Sequence, residues 1–137
     1  MSVASHIGGK LSGGGIFGTI QEKGKNKVVR MPRSQSLGIP IVVIVNGGTA
    51  SVAELMAGSL RDNGVATLVG TRTFGDGTTQ TPLLLKDGSA AIVTTGTMLT
   101  TKGTAFDGKG LVPERKYSTT KRTTLNSRLQ RICCSQR

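Results

Sequence analysis

Asn46-Gly47-Gly48-Thr49-Ala50-Ser51-Val52-Ala53-Glu54 decides how this chain is read. An apolar run, Ile39 to Val45, precedes it, and a helical pattern from Val52 to Asn63 follows it. The glycines between them make a tight turn that delivers Ser51 to the first turn of the helix. Backbone N–H groups at that place have no partner inside the helix, and the helix dipole favours negative charge. A serine that attacks a carbonyl needs such a place, because the oxyanion it creates must meet preset donors. Thr49 or Ser51 equally satisfies the ordinary requirements of an N-cap, and Glu54 suits a first-turn charge or the partner in a capping box. On local grounds the cap is the commoner arrangement, so the nucleophile reading needs support from elsewhere in the chain.

Moving outward, Ile41–Val45 is a run of β-branched residues, the pattern of a strand buried on both faces in a parallel sheet. The helix places Val52, Leu55, Met56 and Leu60 on one side, with Ala53 and Ala57 allowing close approach. Asn63-Gly64 ends it, and Val65–Val69 reads as a second buried strand. Strand, helix and strand within about 30 residues predict a βαβ crossover. A second glycine-punctuated loop, GTRTFGDGTTQ, covers 70–80. Thr81–Leu85 and Ala90–Thr95 are expected to pair around Lys86-Asp87-Gly88-Ser89. Loops and a short strand are expected over 96–112. Gly13 to Gly18 formally matches GxGxxG, but no strand precedes it and no acidic residue lies at the ribose-binding distance, so residues 1–18 read as loop. A short strand is expected at Lys27–Arg30, stopped by Pro32.

The 137 residues suffice for one domain with a modest core. The net charge of +11 is carried by the flanks: residues 39–112 hold five basic and five acidic side chains. A basic flank attracts anions, yet these flanks lack the interleaved aromatics of a nucleic-acid module, so no specific nucleic acid is expected. No apolar window long enough to span a membrane occurs, and MSVASHIGGK lacks the apolar region of an export signal, which leaves the compartment unassigned. Cys133 and Cys134 are adjacent, a spacing ill suited to pairing with each other. With His6 as the single histidine, no metal site and no cofactor are expected. The tail from Glu114 onward is basic and rich in Ser and Thr, with one weak helical stripe of Leu125, Leu129 and Ile132, and is expected to be frayed.

Four stretches taken together resemble the C-terminal processing peptidase, or tail-specific protease, family. They are VVIVNGGTASVAELMAGSLRDNG, ATLVGTRTFGDGTTQT, LKDGSAAIVTT and GKGLVPE. The family pattern runs V-N-x-G-[ST]-A-S-A-S-E, G-x-x-T-F-G-K-G-x-x-Q, L-x-D-G-S and G-x-G-[IV]-x-P-[DE], and order and spacing agree over residues 39–114. The resemblance implies an α/β fold with a partial crotonase-like core of the ClpP/crotonase type, built of ββα units. It implies serine peptidase chemistry with a serine–lysine dyad, Ser51 as nucleophile, the Val52 N–H as one oxyanion donor, and Gln80 orienting the base. It further implies residues 1–38 as a Gly-rich, basic remnant of the protease domain, 39–114 as the C-terminal part of the core and 115–137 as tail. His6-Ile7-Gly8-Gly9 is matched to the family's N-x-G-G turn, which would make Gly9 the second oxyanion donor. The PDZ-like domain and most of the upstream half of the family's protease domain have no counterpart here, as expected of a fragment.

The dyad lysine has no counterpart either: its position, in T-F-G-K-G, holds Asp76. A neutral amine can take the serine proton and return it to the leaving group, whereas a carboxylate with an ordinary pKa of about 3.9 is a far weaker base. It would also set a negative charge beside the developing oxyanion. Gly75 and Gly77 turn the loop around it. The expected function is therefore a serine endopeptidase acting near the C-termini of polypeptide substrates, impaired in this chain by Asp76. The alternative is a non-catalytic, ligand- or protein-binding form of the same scaffold. The strand at Ile39–Val45 is expected to form an open sheet edge, through which copies can associate.

Overall fold

The computed structural model describes residues 1–117. Its elements run α1 (Ser2–Ser12), β1 (Gly15–Glu22), β2 (Lys25–Met31), β3 (Ile41–Val45), α2 (Val52–Asp62), β4 (Ala66–Gly70), β5 (Thr78–Leu84), β6 (Ala90–Leu99) and β7 (Arg115–Lys116). They form an antiparallel sheet of order β2-β1-β6-β5 and a parallel sheet of order β3-β4-β7. The fold is mixed α/β. The expected crossover is present: β3 and β4 pair in parallel, Ile41 with Ala66 through Val45 with Gly70, joined by α2. The expected hairpin is present and longer than expected, since β5 starts at Thr78 and β6 runs to Leu99.

The amphipathic pattern of α2 explains the core. Leu55, Ala57 and Leu60 are buried, and Leu55 joins Phe17, Leu68, Met98, Phe106 and Leu111 in one cluster between the sheets. Ala53 is exposed rather than at a close approach. The helix ends as its sequence dictates. Gly64 takes φ +72°, and the N–H groups of Gly64 and Val65 donate to the carbonyls of Arg61 (2.9 Å) and Leu60 (2.9 Å). Burial works to raise the pKa of Asp62 in its last turn. Hydrogen bonds from Thr100, the Lys102 N–H (3.1 Å) and Arg61 (3.1 Å), with the Arg61 charge, outweigh it and hold the carboxyl below its ordinary value.

Four expectations are corrected. Residues 1–18 are not loop: they hold α1 and the start of β1, and β1 pairs with β6, so the first 38 residues share a sheet with the rest. Two adjacent glycines disfavour a helix by about 1 kcal/mol each. Here they let α1 lie directly on the end of β2, since a Cβ on Gly8 would stand 2.7 Å from Met31 Sδ and one on Gly9 2.5 Å from the Pro32 carbonyl. Packing decides over propensity. The N-x-G-G turn expected at His6–Gly9 is the middle of this helix. Thirdly, β3 is not buried on both faces: it lies at the sheet edge, and Ile44 is 58% exposed. Finally, Arg115–Lys116 do not begin a tail but pair in parallel with β4. The expectations for Leu125, Leu129, Ile132, Cys133 and Cys134 lie outside the described residues. Among those described, no helix is long and apolar enough to cross a membrane, and no three His, Cys, Asp or Glu side chains gather to hold a metal ion.

Candidate active site

The parallel strands β3 and β4 place two loops side by side at their carboxyl ends, the position where open α/β sheets commonly bind ligands. The first loop, 46–51, is shaped by its own polar groups. The Gly48 N–H donates to Asn46 Oδ1 (2.8 Å), and the Thr49 N–H donates to the Asn46 carbonyl (2.9 Å). The loop ends in Ser51 at φ +55° and ψ −126°, the single non-glycine residue with positive φ among those described. A side chain accepts that backbone only when its surroundings impose it, and such outliers concentrate at functional sites. The sharp turn sets Ser51 as the N-cap of α2. The Glu54 and Leu55 N–H groups donate to its carbonyl, at 3.0 and 3.1 Å. The Val52 N–H, first in the helix, has no hydrogen-bond partner among the described residues. It is one of the orphan donors of a helix N-terminus and carries its partial positive charge.

The second loop, 71–77, is fixed to the first through Glu54. This carboxylate is fully buried and accepts four hydrogen bonds. Ser51 N–H reaches Oε2 at 3.1 Å, Asp76 N–H reaches the same oxygen at 2.9 Å, Gly75 N–H reaches Oε1 at 2.9 Å, and Thr73 Oγ1 also donates to Oε1. Because Ser51 N and Asp76 N share one oxygen, they can be no further apart than the two bonds laid end to end. The Phe74 N–H donates to the Thr49 carbonyl (2.9 Å), adding a second tie between the loops. A carboxylate buried this deeply is tolerable only with such a set of donors, so the network that joins the two loops is obligatory.

A third segment, 106–111, backs the second loop. Gly77 N–H donates to Asp107 Oδ1 (3.0 Å), Gly108 N–H to the Gly75 carbonyl (2.8 Å), and Leu111 N–H to Thr73 Oγ1 (2.6 Å). The backbones touch. Gly75 has φ +93°, and a Cβ on it would stand 2.7 Å from the Gly110 nitrogen. Here glycine serves both the conformation and the space.

Of the residues expected at the site, the structure brings Ser51, Val52 and Asp76 together. Asp76 is half-buried, and its carboxylate accepts from Thr78 Oγ1 at 3.3 Å. Gln80 lies exposed on β5 opposite Thr94, beside a bulge, and its amide makes no hydrogen bond among the described residues. Gly9 is not at the site as an oxyanion donor: as an interior residue of α1, its N–H belongs to the helix ladder. Glu54 was expected as a charge facing the helix dipole or a capping partner. It is that partner for the Ser51 N–H, and it is also the hub of both loops. Thr73 and the 106–111 segment were not anticipated. The signals present were the three-residue spacing from Ser51 to Glu54 and the two glycine-flanked stretches, 75–77 and 108–110.

The profile of peptidase family S41 matches residues 2–117. The chain is 43% identical over 75 residues to a carboxy-terminal-processing protease of Bartonella bacilliformis, covering 55% of this chain and 17% of that one. It is 40% identical over 102 residues to carboxyl-terminal-processing peptidase 3, chloroplastic, of Arabidopsis thaliana, covering 74% and 20% respectively. The structure of a photosystem II D1 C-terminal processing protease superposes with a TM-score of 0.80 at 29% identity, over 85% of this chain and 31% of that one. The chain thus spans about a fifth of the length of the curated relatives it matches.

Proposed function

This chain belongs to peptidase family S41, and on that premise we propose that it is the nucleophile-bearing part of a C-terminal processing serine peptidase, with its base position altered. The observation that carries the reading is the shared Glu54 oxygen, which holds Ser51 and position 76 side by side. Ser51 Oγ attacks the scissile carbonyl carbon, a C–O bond forms, and the carbonyl electron pair moves to oxygen. The Val52 N–H faces that oxyanion from the helix N-terminus. The hydroxyl proton must pass to a base and then to the amine that leaves as the C–N bond breaks; water later cleaves the acyl ester. Asp76 occupies the place of that base and suits neither proton step, so turnover by this chain is impaired. We read the architecture as part of a crotonase-like core.

Asp76 also favours a second reading, in which a polypeptide is held at the site without being cut. The β3 edge gives either form a route to self-association. The β2 edge carries Lys25, Lys27 and Arg30 and β5 carries Pro82, both devices that discourage pairing, whereas Ile41–Val45 carries neither.

Hydrolysis of a fluorogenic peptide by the full chain tests the peptidase reading. Asp76→Lys should cleave at least about 100-fold faster than the wild type, the lower range for one general acid–base group. Adding Ser51→Ala should abolish the gain. No cleavage by Asp76→Lys, or a rate that survives Ser51→Ala, contradicts it.

A further inference from the structure

Asparagine is followed by glycine twice in this chain, at Asn46-Gly47 and Asn63-Gly64. Glycine leaves the backbone nitrogen beside the asparagine side chain unshielded, so that nitrogen can attack Cγ and close a five-membered imide. All four residues are exposed, so access to solvent does not separate the pairs. Their hydrogen bonds do. At the second pair they oppose ring closure. The Gly64 N–H, which must lose its proton to attack, donates to the Arg61 carbonyl at 2.9 Å. The Asn63 amide nitrogen, which must leave, donates to the carbonyls of Ser59 (2.8 Å) and Ile16 (3.1 Å) and to Thr101 Oγ1 (3.3 Å). The backbone is set against it as well: at ψ 0° the Gly64 nitrogen eclipses the Asn63 nitrogen rather than its Cβ, and so points away from the side chain.

At the first pair the bonds favour it. Asn46 Oδ1 accepts the Gly48 N–H at 2.8 Å. A donor on that oxygen draws electrons from Cγ and meets the negative charge that builds there as Cγ is attacked. The Asn46 amide nitrogen and the Gly47 N–H have no hydrogen-bond partner among the described residues, so neither leaving group nor nucleophile is restrained. The turn keeps these groups together. The Thr49 N–H donates to the Asn46 carbonyl (2.9 Å), and the Asn46 N–H donates to Thr49 Oγ1 (3.2 Å).

We infer that Asn46 is a site of spontaneous deamidation, selected over Asn63 by the fold. The Gly47 nitrogen forms a bond to Asn46 Cγ and gives its proton to water. The Cγ–Nδ2 bond breaks, and that nitrogen takes up a proton and departs as ammonia. Water then opens the imide at either carbonyl, which leaves aspartate or isoaspartate. Each conversion consumes a water and releases an ammonia, with no change of oxidation state. Either product puts a new negative charge on the loop 46–51. Isoaspartate also lengthens the main chain by a carbon, ahead of the turn that fixes Ser51 at φ +55°.

Tryptic cleavage separates the two sites: residues 34–61 carry Asn46 and residues 62–72 carry Asn63, each stretch ending at its only basic residue. The full chain, incubated folded in mildly alkaline buffer, would be digested and mapped by mass spectrometry, with fragmentation that distinguishes isoaspartate from aspartate. The 34–61 peptide should gain the mass of an amide becoming an acid, at position 46, at least about tenfold faster than the 62–72 peptide gains it, the rate equivalent of one hydrogen bond broken at Asn63. In the urea-unfolded chain that ratio should fall towards unity. Gly47→Ala should slow the conversion by about tenfold, since its methyl crowds the attacking nitrogen. The fold accepts that methyl: Gly47 has no positive φ, and a Cβ on it would stand 4.0 Å from the Arg72 carbonyl oxygen. No conversion at Asn46, equal rates at the two sites in the folded chain, a ratio that survives unfolding, or conversion undiminished in Gly47→Ala would each overturn the inference.

Discussion

The loop pair around Ser51 and the hairpin of β5 and β6 handle their side chains in opposite ways. Around Ser51 a carboxylate is wholly buried and every bond it accepts comes from within residues 51–76. In the hairpin the backbone ladder runs from Thr78 to Leu84 with one bulge after Thr79, yet Leu84 is 80% and Ile92 71% exposed, with Leu83 and Val93 exposed on the other face. One region is finished internally. The other is an apolar arm that meets no surface among the described residues. The buried carboxylate is fully partnered by the two loops it joins, because an unpaired buried charge costs more than the fold can spare. Apolar burial, by contrast, is left open at the arm and at Ile44 on β3.

If this contrast is right, substitutions in the two regions should differ sharply. Glu54→Ala leaves donors from three backbone N–H groups and Thr73 facing a void, and should destabilise the chain by about 3 kcal/mol or more in urea unfolding. Gly75→Ala forces a side chain onto a positive φ and against the Gly110 backbone, for a loss of about 2 kcal/mol. Acid should act next. The folded pKa of Asp62 is lowered, so its stabilisation is present above the unfolded value of about 3.9 and is lost as pH falls through the folded value. Asp62→Asn should flatten the dependence of the melting temperature on pH in that acid window; an unchanged slope would remove Asp62 from the account. Smallest of all, Leu84→Lys and Ile92→Lys should each change stability by no more than about 0.5 kcal/mol. A large loss in the hairpin, or a small one at Glu54, would erase the contrast.

What was legible in the sequence divides by separation along the chain. The Ile41–Val45 run, the Asn63-Gly64 stop and the turn at 86–89 encode their structures within a few residues, and each was readable. The position of Ser51 at a sharp turn ahead of the helix was readable too, from the glycines before it and the helical pattern after it. Glu54 was readable only as a capping partner, because its bonds to Thr73, Gly75 and Asp76 join segments about 20 residues apart in sequence. Gly8 and Gly9 misled for a related reason: alone they argue against a helix, and only Met31 and Pro32 show why a helix needs them. The exposure of β3 was hidden because a β-branched run reads alike in the middle of a sheet and at its edge.

We propose that the Glu54 network already presents Ser51 for attack and that Asp76 is what limits it. Labelling with a fluorophosphonate, followed by peptide mapping, tests this most directly, on the wild type, Asp76→Lys and Ser51→Ala, each shown to be folded. The prediction is labelling at Ser51 that is at least about 100-fold faster in Asp76→Lys than in the wild type and absent in Ser51→Ala. Equal labelling of wild type and Asp76→Lys, or no labelling of either, would contradict the claim.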